Sequence, residues 1–542
     1  MNSNNKVLLV SNIKLSVNAS FEEAFSLAEK RLSEMKVNTK NIKFSIYRKS
    51  VDARKKSDIK FVYTVRAEGD LCNISNEKLE KNSVSVEDGI NNINYSIGEI
   101  PLSAPPLVVG SGPCGLFAAL LLAEQGYAPV LIERGAGILE RKNSVKAFSH
   151  DRIFDTESNI QFGAGGAGTF SDGKLVTRIN DPFVSYVLRR FVDFGAPEEI
   201  LHLAKPHIGT DILCDVVENM TNEIIRLGGR VLYHTKLVSI KKIAGESIAV
   251  TSSGEIKYGA MVLAVGHSAR DTYNELLCEG FAIEAKNFSV GMRIEHLAKS
   301  IDESMYGDFA GHPNLGHAEY NLSYNTKERG VYTFCMCPGG EVVAAASEEF
   351  GVVVNGMSKH ARAGINSNSA VVCSIFKEDY GSTPEAAIEF QRKIERDAFI
   401  AGGSDYSAPI ITVGDFLNES CKKEPYAVFP TYMEGKHTKL AHPDKYLPKF
   451  VSASISAALI NFDKKIAGFA YSGAVLTGAE TRTSAPIRIL RDPITRTAIG
   501  HNNIYPAGEG AGYAGGITSA AIDGIRSAIA IINKYKPTKL RS

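Results

Sequence analysis

The 542-residue chain lacks an excess of charge of either sign: 61 lysines and arginines face 60 aspartates and glutamates, for a formal net charge of +1. That balance gives no electrostatic reason to bind a polyanion or an acidic membrane surface. It also lacks apolar runs long enough to span a bilayer. The opening MNSNNKVLLVSN has too short an apolar stretch for a secretory signal. The eight cysteines include no C-x-x-C and no zinc spacing, so reduced thiols, no metal centre and a cytoplasmic location are expected. No internal repeat is found. What remains is an ordinary globular composition, 44% hydrophobic and 22% charged, long enough for about two to four domains. Glycine is plentiful at 48 residues, gathered in motif-like clusters rather than in a linker.

The densest cluster opens the unit LVVGSGPCGLFAALLLAEQGYAPVLIERG, residues 107–135. Leu107 to Val109 suits a buried strand, and Gly110-Ser111-Gly112-Pro113-Cys114-Gly115 matches G-x-G-x-x-G. Gly110 permits a tight turn, Gly112 a close approach of a pyrophosphate, and Gly115 close packing of the next helix on the sheet. That helix is expected from Pro113 to about Gln125. Glu133 ends the next strand, about 20 residues on, where a carboxylate accepts bonds from ribose hydroxyls. The helix N-terminus offers free N–H groups to a diphosphate. This context points to dinucleotide binding, without separating FAD from NAD.

Residues 1–100 read as a separate small domain in β-α-β-β order, which suggests a ferredoxin-like α+β sandwich. Ser20 and Glu23 form a capping box for its helix. The basic run Arg48 to Lys56 is expected as a solvated loop, with an anion, a nucleic acid or a partner as alternatives. Residues 71–106 read as a linker. The first part of the nucleotide-binding domain is placed at 101–286. It contains a second glycine cluster, NIQFGAGGAGTFSDGKL, and a buried strand from Met261 into Gly266. Residues 287–471 are expected to be an inserted substrate domain on an antiparallel sheet. Its first strand, with Phe288, Val290, Met292 and Ile294 alternating with polar or small neighbours, should be half-buried with one polar face. Val331 to Met336 and Glu341 to Ala346 are expected to form a hairpin. Residues 472–542 complete the nucleotide-binding domain, through Tyr505 to Ile517 and a final helix.

Three ordered pieces, Gly110 to Glu133, Val262 to Gly266 and Tyr505 to Gly512, resemble the FAD-dependent oxidoreductases of the glutathione-reductase structural superfamily. The last motif usually carries Asp and here carries Glu509. The strings FGAGGAGTFSDGKL, KPHIGT, AVGHSARDT, CMCPGG, ETRTSAP and YPAGEGAGYAGGI resemble a bacterial group usually named FAD-dependent proteins or NAD(FAD)-utilizing dehydrogenases. The resemblance implies an α/β fold, a Rossmann-like FAD-binding domain with an inserted substrate domain, and non-covalent FAD.

The expected cofactor contacts fall in four groups. Gly110, Gly112, Pro113, Cys114 and Gly115 form the first turn, with Glu133 and Arg134 after the second strand. Gly165, Gly166, Thr169, Ser171 and Lys174 lie in the second cluster. Val238, Ala264 and Gly266 follow, and Gly508, Glu509, Gly516 and Ile517 close the set. No second G-x-G-x-x-G in a βαβ context is found, so NAD(P)H, if it is the reductant, has no dedicated domain. Candidates for chemistry are Arg293, Glu295, Arg482 and Cys337, none assigned a role as acid or base. Arg482 can hold a substrate carboxylate or make a domain-interface ion pair. Cys335 and Cys337 share a strand face, and structural thiols are the expectation.

The expected activity is an FAD-dependent oxidoreductase acting on a small organic substrate. The alternatives are an FAD-dependent RNA-modifying enzyme and a flavin-binding redox sensor whose N-terminal domain holds a protein partner. Membrane and nucleic acid are not expected partners.

Overall fold

The computed structural model describes residues 5–70, 76–87, 95–177, 179–326 and 328–537. At the N-terminus a four-stranded sheet has Lys43–Asp52, Lys60–Asp70, Asn5–Ser16 and Val84–Val86 side by side, all antiparallel. Ile59, Phe61, Tyr63, Val65 and Ala67 alternate inward and meet the helix Phe21–Glu34, which buries Ala24, Ala28 and Leu32. The capping box is formed: Ser20 N donates to Glu23 Oε1 at 2.9 Å and Glu23 N to Ser20 Oγ at 3.4 Å.

The basic run is not the expected loop. Its first half belongs to the strand Lys43–Asp52, whose free edge pairs onward. Lys49 N donates to His202 O at 2.6 Å, and Ala204 N donates to Lys49 O at 2.8 Å. The Lys49 ammonium stands 4.0 Å from the Phe61 ring centroid. An unpaired strand edge is thereby covered, and the small sheet is hooked to the next unit.

That unit is built on five parallel strands in the order Ile504–Pro506, Met261–Leu263, Leu107–Val109, Val130–Ile132, Arg230–Leu232. Both faces are buried, as parallel sheets require. Val108, Leu131 and Val262 pack on the helices Pro113–Glu124, Phe183–Asp193, Thr210–Arg226 and Ile517–Lys534. Val109, Ile132 and Leu263 pack on the antiparallel meander Leu237–Ile243, Glu246–Thr251, Gly254–Tyr258. Two close approaches fix this packing. A Cβ on Gly115 would lie 1.8 Å from Gly110 O, and one on Gly524 would lie 2.0 Å from Cys114 O.

The third unit is a seven-stranded sheet in the order Ser323–Asn325, Gly330–Cys337, Asn366–Ile375, Phe288–Leu297, Val475–Glu480, Ala408–Thr412, Thr438–Leu440. Neighbours are antiparallel except the last pair. The strand Val475–Glu480 lies past the expected boundary at 471. Phe288–Leu297 is central and buried on both faces, not half-exposed. Its apolar side meets the helix Lys449–Lys465. Its polar side, with Arg293 and Glu295, lies under the ribbon Glu341–Ala344 and Val354–Met357, where a Cβ on Gly356 would lie 2.1 Å from Arg293 Nη2. The expected hairpin does not form: Gly330–Cys337 pairs with Ser323–Asn325 and Asn366–Ile375, while Glu341–Ala344 pairs only with Val354–Met357 among the described residues.

Gly524→Ala forces a methyl into the Cys114 carbonyl. The expected loss is about 1–3 kcal/mol, read as a lower urea midpoint with an unchanged slope. An unchanged midpoint would mean that the two helices do not touch there.

Candidate functional site

One cavity of about 1100 Å³ lies between the parallel sheet and the seven-stranded sheet. Its walls change character from one end to the other. The first end is backbone. The helices Pro113–Glu124 and Ile517–Lys534 start at Gly112 and Gly516, and neither has a side-chain cap. Their opening turns both line the cavity, and the N–H groups of a helix's opening turn have no partner within the helix, although Pro113 itself contributes none. Gly266, Gly515 and Gly516 have open space where a Cβ would be. Gly166 closes on Gly112 so tightly that a Cβ on it would lie 2.9 Å from Gly112 Cα.

The loop carrying Gly163 to Gly168 is held from two sides. Glu133 accepts from Gly163 N at 2.9 Å, Gly135 N at 3.0 Å, Ser111 N at 3.0 Å and Ser111 Oγ at 2.7 Å. The carboxylate expected to serve ribose hydroxyls thus accepts four bonds from the protein and ties the two glycine turns together. Arg141, fully buried, donates to the carbonyls of Asn159, Ile160, Gly163 and Ala164 at 2.6–3.2 Å. Burial lowers its pKa to about 10, against an opposing pull from Glu133, so it stays charged at neutral pH.

Of the expected cofactor contacts, Gly110, Gly112, Pro113, Cys114, Glu133 and Arg134 line the cavity. So do Gly166, Ser171, Lys174, Ala264 and Gly266, and Glu509, Gly516 and Ile517 at the far motif. Gly115, Gly165, Thr169 and Gly508 stand behind that wall. Thr169 Oγ1 bonds Ala164 O at 3.3 Å. Gly508, at φ +77°, donates its N–H to Asp523 at 2.7 Å. Val238 is corrected by one position in register: it is 45% exposed, and Leu237 faces the cavity instead. Side chains alternate along a strand, so a one-residue slip moves a contact to the other face.

The second end of the cavity is made of side chains. Burial pushes the Glu509 carboxyl up to about 7 against the nearby Lys286 charge. His267 Nδ1 is 3.8 Å from Glu509 Oε1, and burial, then the Arg482 and Arg270 charges, hold the imidazole down at about 3. Glu480 is likewise raised to about 7 by burial, with Arg293 Nη1 at 3.1 Å. Two buried polar atoms on these walls have no hydrogen-bond partner, His267 Nε2 and Arg488 Nε; Lys174 Nζ is ion-paired with Asp172 at 3.2 Å and Glu319 at 3.4 Å. Lys286 and Arg488 were not singled out by the sequence, and no motif marks them. His267 belongs to the AVGHS string.

The four candidates for chemistry divide. Arg482 lines the cavity, but its guanidinium is taken by Glu395 at 2.9 and 3.2 Å and by Ser347. Arg293 is buried behind the wall and bonds Asn368, Glu480 and the Cys335 carbonyl. Glu295 is buried away from the cavity on Asn366 and Thr431. Cys337 is buried, whereas Cys335 reaches the cavity. Among the described residues no group of side chains has metal-ligand geometry.

A cavity with one end lined by open backbone at two helix starts and the other by side chains is an architecture suited to a phosphate-bearing nucleotide. The comparisons point to FAD. A model described as an FAD binding domain matches residues 103–147, one described as FAD-dependent protein, C-terminal domain-like, matches 287–483, and a domain of unknown function matches 8–68. An uncharacterized protein of Clostridium beijerinckii is 43% identical over 525 residues, 96% of this chain and 98% of its own. The chain belongs to the same family as that protein.

Solved structures are far more distant. CtdE in complex with FAD is 10% identical, covers 79% of this chain and 83% of its own, and has a TM-score of 0.33. The L-amino acid deaminase from Proteus vulgaris is 13% identical over 82% and 97%, at 0.33. The flavin-dependent halogenase CmlS is 11% identical over 79% and 58%, at 0.34. At those scores the likeness carries no argument.

The residues present fit FAD. Two uncapped helix N-termini and open glycine backbone suit its diphosphate, and the orphaned His267 Nε2 and Arg488 Nε await a polar ligand.

Two outcomes test this site. Arg141→Met leaves a cluster of buried carbonyls short of donors, with an expected loss of about 3–5 kcal/mol and of bound flavin. Wild-type stability in urea would overturn the clamp. Glu509 has a folded pKa above its unfolded value, so its contribution to stability is present below about pH 4.3 and is lost as the pH rises through about 7. Glu509→Gln should therefore flatten the pH dependence of the urea midpoint in that window, and parallel wild-type and variant curves would count against it.

Proposed function

We propose that this chain is an FAD-dependent oxidoreductase, a dehydrogenase or reductase of a small organic substrate, with FAD held non-covalently. The observation that carries the proposal is the cavity of about 1100 Å³ onto which both uncapped helix N-termini and two orphaned polar atoms open. Bound FAD supplies two-electron transfer. The chain's own part is to hold the diphosphate on backbone N–H groups and to present Glu509, His267 and Lys286 at the other end. Protonated Glu509 has a proton to give near neutral pH. His267, kept neutral by burial, offers an acceptor nitrogen. The parallel-sheet unit is read as Rossmann-like and the N-terminal unit as ferredoxin-like, within the glutathione-reductase structural superfamily; a cytoplasmic location belongs to the same reading.

A nucleic-acid substrate has less to rest on, because the basic run is partly consumed by the fold: Lys49 packs on Phe61, and Arg54 pairs with Asp52 at 2.6 Å. Acid precipitation of the purified protein should release FAD into the supernatant. Finding FMN, or no flavin after reconstitution with FAD, would sink the proposal. If NAD(P)H is the reductant, it must enter the open cleft, where few backbone donors serve its diphosphate. Stopped-flow reduction by NADH or NADPH should be slow and unsaturated. Fast reduction saturating at about 1–10 μM, the tight end of ordinary enzyme affinities, would mean a dedicated nicotinamide site.

A further inference from the structure

The strands Ile283–Ala285 and Ile487–Ile489 pair as an antiparallel ribbon, with Glu284 opposite Arg488 and Ala285 opposite Ile487. Lys286 N donates to Pro486 O at 2.8 Å and continues the ladder. Side chains alternate along a strand, so Glu284, Lys286 and Arg488 share one face, while Ala285, Ile487 and Ile489 are buried on the other. Lys286 is the diagonal neighbour of Arg488, a separation that long side chains bridge. Both line the cavity.

These are the two cations on the walls with the least compensation. Arg134 and Lys236 pair with Glu157 and Asp271, Lys174 and Lys205 with Glu319, and Arg482 with Glu395. Lys286 makes no ion pair among the described residues. Burial, then the neighbouring Arg488 charge, lower its pKa, and Glu509 opposes them. Glu509, raised to about 7, is half protonated at neutral pH and offsets little of that charge. Arg488 Nη1 lies 3.6 Å from Glu284 Oε1, too long for a hydrogen bond, and Arg488 Nε is buried with no partner. Glu509 also meets His267, whose side chain is 9% exposed and whose Nε2 is unpartnered. Two facing positive charges and two orphaned nitrogens make this stretch of wall incomplete without a ligand.

We propose that Lys286 and Arg488 form an anion subsite that takes the carboxylate of the substrate, which makes the substrate a small organic acid. That the acid is a substrate rests on the flavin reading; the anion site itself does not. The guanidinium edge carrying Nε fits a carboxylate with two parallel N–H···O bonds, and Lys286 adds its charge from the diagonal. The orphaned His267 nitrogen leaves a second polar contact for the rest of the molecule, and Tyr332 and Phe334 on the wall suit an apolar body. A phosphate is the other oxyanion such a pair attracts, but the cavity already offers phosphate two helix starts, at Gly112 and Gly516.

The test is isothermal calorimetry of the full chain, as purified, with sodium benzoate and with benzamide, the same ring with and without the charge. Benzoate should bind saturably and benzamide about tenfold more weakly or less, the difference of one charge-assisted hydrogen bond. Lys286→Met and Arg488→Met should each weaken benzoate by about ten- to a hundredfold with FAD content unchanged, and Lys286→Arg should restore most of the loss. Absent benzoate binding, or benzamide binding as tightly, would overturn the subsite, and neither result depends on a variant folding. Unchanged benzoate affinity in both methionine variants would overturn it too. Loss of FAD at an unchanged urea midpoint would assign the cations to the cofactor, and displacement of benzoate by inorganic phosphate at lower concentration than by acetate would assign them to a phosphate; either removes the carboxylate site. Acid release of flavin from the same sample separates the two readings. Flavin present without benzoate binding removes the subsite alone, and a colourless protein that binds benzoate through Lys286 and Arg488 removes the flavin reading alone.

Discussion

The nucleotide end of the cavity depends on a buried cation and a buried anion gripping one loop. Glycines at 163, 165 and 166 adopt positive φ, and such a stretch has no intrinsic preference for one conformation. Glu133 takes its N–H at Gly163, and Arg141 takes carbonyls from Asn159 to Ala164. Glycine is required between them, since a Cβ on Gly163 would lie 2.4 Å from Arg141 Cδ. Arg141 has only carbonyl acceptors in place of a carboxylate partner, an arrangement tolerable because the guanidinium's donors are so fully satisfied. The loop can then offer open backbone to a ligand without sampling other shapes.

A second ionic cluster sets the other end. Arg270, beside the nucleotide sheet, meets Glu395 on the helix Pro384–Ala401 at 2.7 and 2.8 Å, and Arg482 meets the same carboxylate. Burial would raise the Glu395 carboxyl, but the Arg270 and Arg482 charges hold it well below the usual range. Removing one partner of such a cluster leaves an uncompensated buried charge. The node therefore fixes the seven-stranded sheet against the parallel one, and with it the width of the cavity. This is the role the structure gives Arg482, in place of a substrate carboxylate.

The legible part of the chain is the part where local sequence dictates backbone. Gly110, Gly112 and Gly115 and the Ser20–Glu23 capping box read correctly because each signal lies within a few residues of its effect. Val238 failed because half-exposed strands constrain register weakly. The hairpin at Pro338-Gly339-Gly340 failed because turn residues say that the chain reverses, not which strand it will join. Arg293 and Glu295 read as a polar surface because a strand's alternation shows that one face is polar, and cannot show that Asn355, Asn368 and Thr431 arrive from elsewhere to bury it.

The same distinction explains why the cofactor was easier to infer than the chemistry. A diphosphate is held by N–H groups that every residue owns, so the signal is where glycine permits approach, and that is written in order along the chain. The reaction end is assembled from Glu509, His267, Glu480 and Cys335, which come from four separate strands or turns. None of these is unusual in its local sequence. Glu509, Glu480 and His267 become unusual through burial, which raises both carboxyls and lowers the imidazole, and burial is a property of the folded whole. Groups whose protonation is displaced in different directions within one cavity are the arrangement from which acid and base roles arise. The inserted sheet thus does more than enclose a substrate: it supplies Glu480, one of the two carboxyls on these walls raised to about 7.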